Sequence, residues 1–167
     1  MKLKTITRGG IIAAMYVVLT VTPGLNAVSF SGVQFRVSEM LMPLAAFDIA
    51  AIPGLWIGCM IANYIGSPFG WLDVTLGASL TLFSALIIHA VGSRWIGLSS
   101  LSAPVLLNAI GVAFIIMVAS PAEDGILFWP TALSVGIGEL GVMVVLAAPL
   151  FVMLKKNPEL IGLEQRL

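Results

Sequence analysis

Charge is absent from long stretches of this chain, and those gaps predict its architecture. Residues 9–35, 49–72, 74–93 and 95–122 carry no charged side chain, and residues 125–154 carry only Glu139. A helix crossing a bilayer needs about 20 mostly apolar residues, so these are five full spans. A sixth apolar piece, MLMPLAAF, lies between Glu39 and Asp48. At about 1.5 Å per residue it is too short to cross alone. It can still lie at membrane depth where irregular backbone is packed in protein or lines a cavity.

The positive charges fix the parity of the crossings. Lys2, Lys4 and Arg8 precede the first span, and Lys155 and Lys156 follow the last. Basic clusters stay on the cytoplasmic side, so both ends belong inside and the number of crossings is even. Six crossings also put Arg94 inside and Glu39, Asp73, Glu123 and Asp124 outside. Arg36 alone breaks this pattern. The expected helices cover residues 6–24, 38–48, 50–66, 73–92, 102–119 and 129–154. Pro53, Pro104 and Pro130 then fall in first turns, where a missing N–H is harmless. Trp71 and Trp129 lie near the outer interface and Trp95 near the inner one, as an aromatic belt requires. No small-x-small site precedes Ser29, so the first helix is expected to remain in place rather than be cleaved. The expectation is therefore an all-α polytopic membrane protein, a six-helix bundle with a short second helix, forming one domain over 1–167.

Composition narrows the class further. Of the 167 residues 59% are hydrophobic and 10% charged, with 8 basic and 8 acidic side chains. That excludes a soluble enzyme and a nucleic-acid binder with a basic surface. A single cysteine, Cys59, excludes a disulfide scaffold. No lysine lies between residues 5 and 154, so there is no phosphate-binding G-x-x-x-x-G-K-[ST] loop and no P-loop ATPase. One histidine, His89, and one cysteine give no two-histidine metal pair. His89 reads as a polar helix-end residue and Cys59 as core packing. No G-x-S-x-G elbow is present. Neither an enzyme, nor a metal, nor a cofactor is expected.

The remaining polar residues mark a candidate binding site towards the outer half. Gln34, Phe35, Arg36, Ser38 and Glu39 form the densest segment, read as a binding loop. Asn63 lies near the outer end of the third expected helix, Trp71 and Asp73 at the start of the fourth, and Asn108 midway along the fifth. Glu139 lies about 15 Å into the sixth. A carboxylate at that depth costs about 2.5–3.5 kcal/mol on insertion scales and ordinarily faces a cavity or a partner. Gly136, Gly138 and Gly141 beside it would let a flat ligand approach closely. On the first helix Gly9 and Ala13, and Gly10 and Ala14, are small residues four apart, a spacing that permits close helix contact. Gly54 and Gly58 repeat it. With no motor in the chain, the first-helix pattern is a candidate docking face.

The run VQFRVSEMLMPLAAFDIAAIPGLWIGCMIANYIG, at residues 33–66, resembles the queuosine-precursor transporter (QueT) family. That family's hallmark is a Q-[FVY]-R-[IV]-S-E segment, then an apolar run, a proline-glycine and an asparagine. Leu72-Asp73-Val74 with Gly77, Pro104 to Asn108, and Gly138-Glu139-Leu140 extend the likeness over nearly the whole chain. The resemblance implies a substrate-binding S component of an energy-coupling factor (ECF) importer in a prokaryotic plasma membrane. It implies six helices with both termini inside, an outward-facing site, and a first-helix A-x-x-x-A face. Its partners would be a membrane scaffold (T component) and two ATPase subunits, and its ligand a 7-deazaguanine such as the 7-aminomethyl form or queuine. Here the docking pattern is Gly/Ala rather than Ala/Ala. The residues alone also suit an S component for riboflavin or thiamine, or a stand-alone transporter. The latter would need polar groups through the inner half, where only Asp48 and His89 occur.

Overall fold

The computed structural model describes residues 3–31, 33–92, 97–120 and 125–157. Among these every regular element is helical. Helix α1 (Leu3–Val21) is followed by the short α2 (Leu25–Ser29), a 3-10 turn (Val37–Leu41) and α3 (Leu44–Phe47). Then come α4 (Ala51–Gly66), a π-helical turn (Asp73–Gly77) running into α5 (Ala78–Gly92), and a 3-10 turn (Gly97–Leu101) running into α6 (Ser102–Ala119). Helix α7 (Phe128–Val142) continues through a π-helical turn (Met143–Ala147) into α8 (Ala148–Lys156), giving one rod from Phe128 to Lys156.

Four of these rods are long and apolar enough to cross a membrane: Leu3–Val21, Asp73–Val91, Leu98–Ala119 and Phe128–Lys156. The expected count of six is not reached by length and composition. The stretch Val37–Phe47 is split by Pro43 into a 3-10 turn and a four-residue helix, because proline cannot donate and clashes with the preceding turn. Helix α4 has 16 residues, about 24 Å of rise against a hydrocarbon core of about 30 Å. Helix α1 also stops at Val21 rather than continuing to residue 24, since the residue before Pro23 is pushed out of the helical region. Arg94, Trp95, Glu123 and Asp124 lie outside the described residues.

Packing explains the small residues. Buried Ile12, Ala13, Tyr16 and Thr20 form one stripe of α1. A Cβ on Gly54 of α4 would stand 2.7 Å from the Gly9 carbonyl, and one on Gly58 would stand 2.8 Å from the Tyr16 Cβ and 2.9 Å from the Ala13 carbonyl. Backbone-to-backbone approach of this kind is available only to glycine. Gly9 and Ala13 thus belong to an internal seam, whereas Gly10 and Ala14 are exposed. At one end of this seam Arg8 pairs with buried Asp48 at 2.9 Å, and Asp48 also accepts from the Ala50 N–H at 2.9 Å. The main core gathers Tyr16, Met42, Leu55, Ile88, Val142 and Phe151. A smaller core joins α6 to α7 through Val112, Ile116 and Val135.

Candidate ligand-binding site

Helices α1, α4, α5, α6 and α7, the loop with the 3-10 turn Val37–Leu41, and the π-helical turn Asp73–Gly77 each place a polar side chain in the buried interior. Tyr16 and Thr20 come from α1, one turn apart. Gln34, Arg36, Ser38 and Glu39 come from the loop and 3-10 turn. Asn63 comes from α4, Asp73 from the π-helical turn, Thr81 from α5, Asn108 from α6 and Glu139 from α7. All are buried, none more than 6% exposed.

Most of these groups form one network. Tyr16 donates its hydroxyl proton to Glu39 Oε1, and Thr81 donates its own to Cys59 Sγ at 3.3 Å. The Thr20 and Ser38 hydroxyls are hydrogen-bonded at 2.7 Å. Arg36 Nη2 faces Asp73 Oδ2 at 3.8 Å, Nη1 reaches Cys59 Sγ at 3.8 Å, and the guanidinium lies 5.1 Å from the centre of the Phe30 ring. Asn63 donates to the Asp73 carbonyl at 2.8 Å and to Cys59 Sγ at 3.5 Å. Asn108 hydrogen-bonds Glu139, which is within electrostatic reach of Glu39 and Arg36. Arg36 therefore carries no topological information: it breaks the positive-inside pattern because it is buried in the network.

Two local devices aim these groups inward. At Asp73 the π-helical turn widens the helix, and the lack of a Cβ on Gly77 leaves room for the Asp73 carboxylate and the Asn63 amide. Bulges of this kind recur at functional sites. Gln34 is held at φ +47°, a left-handed conformation costly for a residue with a side chain. It is fixed there because the Val33 and Gln34 carbonyls lie directly on Gly138.

Gly138 and Gly141 therefore do not open the α7 face to a ligand, as the sequence suggested. The binding loop itself fills that groove, with the Phe35 ring edge 3.0 Å from where a Gly141 Cβ would stand. Gly136 faces Ala109 of α6.

The network is rich in unused hydrogen-bonding capacity. Among the described residues Gln34 Nε2, Arg36 Nε, Glu39 Oε2, Asn63 Oδ1, Asp73 Oδ1 and Glu139 Oε1 are buried without a hydrogen-bond partner. Buried polar atoms are ordinarily paired, and each one left unpaired costs about 1–3 kcal/mol. These atoms come from separate elements, which makes this interior cluster the candidate site.

Six of the nine candidate binding residues meet in this network: Arg36, Glu39, Asn63, Asp73, Asn108 and Glu139. Gln34 is buried, with its carbonyl against Gly138. The other two lie elsewhere. Trp71 is 71% exposed and packs against Tyr64, ring centroids 5.7 Å apart. Phe35 packs into the main apolar core and onto Gly141. Trp129, another candidate for stacking, is likewise exposed. Phe30, Tyr16, Thr20 and Thr81 were missed. Tyr16 and Thr20 had a readable signal, two polar side chains at i and i+4 in a charge-free helix. Cys59 is more than apolar filler, since Arg36, Asn63 and Thr81 all direct donors at its sulfur. His89, by contrast, is structural, its Nδ1–H donating to the Ala45 carbonyl at 2.8 Å.

Four helices long and apolar enough to cross a membrane, packed with shorter ones around buried charged side chains, give the class: a helical membrane-type bundle with a polar interior. The QueT transporter family model matches residues 6–156, and the chain belongs to that family. Over 72 residues it is 51% identical to the Queuosine precursor transporter QueT of Lactococcus lactis subsp. cremoris (strain MG1363), a match covering 43% of this chain and 41% of that relative. The chain thus matches about two-fifths of the length of that curated relative. No solved structure matches the chain.

Proposed function

We propose that the chain is the substrate-binding S component of an ECF-type importer, and that its ligand is a 7-deazaguanine queuosine precursor captured from outside the cell. The observation that carries this reading is the set of buried, unpartnered donors and acceptors around Arg36, Glu39, Asn63, Asp73 and Glu139, in a chain of the QueT family. A 7-deazaguanine presents its N1–H and 2-amino group side by side. A carboxylate accepts both, and Glu139 has a free oxygen for them. The 6-oxo group needs a donor, which Gln34 Nε2 or Arg36 Nε supplies. Mass spectrometry of the small molecule that co-purifies with the protein tests this reading. A 7-deazaguanine is expected, and riboflavin or thiamine in its place would assign the chain another vitamin.

The chain is proposed to cross a prokaryotic plasma membrane six times with both termini cytoplasmic. Val37–Phe47 and α4 complete the count as short elements packed within protein, where sub-span lengths and irregular backbone are tolerated. Single cysteines introduced in a Cys59-free background should then be labelled from outside at Ser31 and Asp124, but not at Ser93 or Asn157. External labelling of Asn157 would make the count odd.

Energy would come from a membrane scaffold and two ATPase subunits docking on α1. The internal seam uses Gly9 and Ala13, so the docking face is assigned to Gly10 and Ala14 with exposed Ile11, Met15 and Val18 around them. Ala14→Trp should cut cellular uptake at least tenfold while ligand binding by the isolated protein persists. Normal uptake by that variant would remove α1 as the docking face. Ala13→Trp is not an equivalent test, because Ala13 is sealed against Gly58.

A further inference from the structure

Helix α6 packs closely along α7 and parts from the long rod where the π-helical turn Met143–Ala147 begins. The parting leaves a groove of about 490 Å³, walled by Leu98, Leu101 and Leu106 on one side and by Leu140, Val144 and Ala148 on the other. Both walls belong to rods long and apolar enough to cross a membrane, so the groove opens towards the hydrocarbon. Its size falls within the range of about 300–1,000 Å³ found for small-molecule pockets. Apart from Ser99 and Ser102 the lining is apolar, and the Ser102 hydroxyl already donates to the Ser99 carbonyl at 2.8 Å. An occupant of this groove therefore needs no polar groups, and buried ones would be stranded.

Charge appears at one end of it. Lys155 follows Ala148 by seven residues, two turns along the same face of α8, about 10 Å further by helical rise. Lys155 and Lys156 are exposed, and among the described residues neither has an ion-pair partner. Every carboxylate among those residues, at Glu39, Asp48, Asp73 and Glu139, is buried, so none answers these lysines at the surface. An apolar groove leading to two unanswered cations is complementary to an anionic amphiphile. Lipid tails are as apolar as leucine, so the chain gains close packing rather than escape from water. The headgroup charge supplies the selectivity, since basic pockets between membrane helices hold acidic headgroups. We propose that the groove is a site for one anionic phospholipid, an acyl chain lying between α6 and the π-helical turn and the phosphate held by Lys155 and Lys156. In the proposed topology this lipid belongs to the cytoplasmic leaflet. The site stands apart from the polar network and from whatever ligand that network holds.

Native mass spectrometry of the full chain, purified in detergent and offered phosphatidylglycerol and phosphatidylcholine in equal amounts, tests this. A basic side chain near an acidic lipid favours binding by roughly fivefold, so two should retain phosphatidylglycerol about tenfold or more over phosphatidylcholine. Lys155→Gln with Lys156→Gln should cut that preference to about twofold or less. Lys4→Gln, which removes a cytoplasmic-side cation of α1 in the proposed topology, should leave it unchanged. Val144→Trp, and Leu106→Trp from the facing wall, should each expel the bound phosphatidylglycerol. Both positions are largely exposed, so the larger side chain fits without disturbing the core. Equal retention of the two lipids overturns the proposal, as does a preference that survives loss of both lysines or falls equally with Lys4→Gln. Retention of phosphatidylglycerol by either tryptophan variant places the lipid elsewhere and likewise overturns it. A dimer of the purified protein that either tryptophan variant dissociates would give the groove to a second copy of the chain and overturn it too.

Discussion

Gly138→Ala should reduce ligand binding by on the order of a hundredfold and lower the protein's stability by about 1–3 kcal/mol, the usual range for overpacking. The added methyl would overlap the Val33 carbonyl and crowd the Gln34 carbonyl. Both are backbone atoms, so no rotamer change relieves the clash and the loop must lift from α7. That loop carries Gln34 and Arg36 and leads directly into Glu39. Losing register at two hydrogen bonds to charged groups, each contributing about 1.5–3 kcal/mol, gives the expected factor. Two other glycines calibrate the result. A Cβ on Gly136 meets only the Ala109 methyl at 3.2 Å, and one on Gly10 meets nothing within 4 Å. Gly136→Ala should be mild, and Gly10→Ala should be neutral for binding. Thermal unfolding in detergent, with and without ligand, measures both quantities. A Gly138→Ala variant that binds like the parent would show that the loop is not held on α7 by this contact.

The glycines also show which parts of this molecule can be read from its sequence. Hydrophobic length is a local property, so the gaps between charges located the four long rods to within a few residues. Depth is nearly as local: a lone carboxylate in an apolar run had to face inward, and Glu139 does. What a small residue faces is not local. Gly9, Gly10, Ala13 and Ala14 are equivalent as a pattern, yet one pair is sealed against α4 and the other exposed, because the partner helix begins some 40 residues later. In the same way Gly138 and Gly141 read as room for a ligand, while the space is taken by the chain's own loop, about 100 residues earlier. Aromatics misled for a related reason. Phe35 and Trp71 sit beside Arg36 and near Asp73 in sequence, but neighbouring side chains point in different directions: Phe35 turns into the apolar core and Trp71 stays exposed against Tyr64. Phe30, the aromatic that does meet the site, is placed there by the turn between α2 and the loop.

Glu139→Gln, the most conservative change available at the site, should weaken binding of a 7-deazaguanine at least tenfold. An ionised carboxylate only accepts, and it is surrounded by donors: Asn108 on the protein side, and the N1–H and 2-amino group of the ligand on the other. A glutamine of nearly the same shape has one accepting oxygen and one donating amide nitrogen. With its nitrogen turned to the ligand it confronts a donor, and with its oxygen so turned a neutral amide oxygen replaces the charged acceptor the guanine edge would meet. One hydrogen bond to a charged group is lost and a buried polar group is left unsatisfied, a penalty of about 1.5–3 kcal/mol. Since 1.4 kcal/mol is a factor of ten, the lower bound on the affinity loss is about tenfold. The ligand offers the complementary test. An analogue lacking the 2-amino group should lose affinity for the parent protein and much less for Glu139→Gln, because the group removed is the one the variant can no longer receive. Calorimetry on the two proteins with the two ligands closes a double-mutant cycle whose coupling should exceed about 1 kcal/mol. A coupling near zero, or parental affinity in Glu139→Gln, would move the edge-reading role to Asp73, whose two carboxylate oxygens are buried and lack hydrogen-bond donors among the described residues.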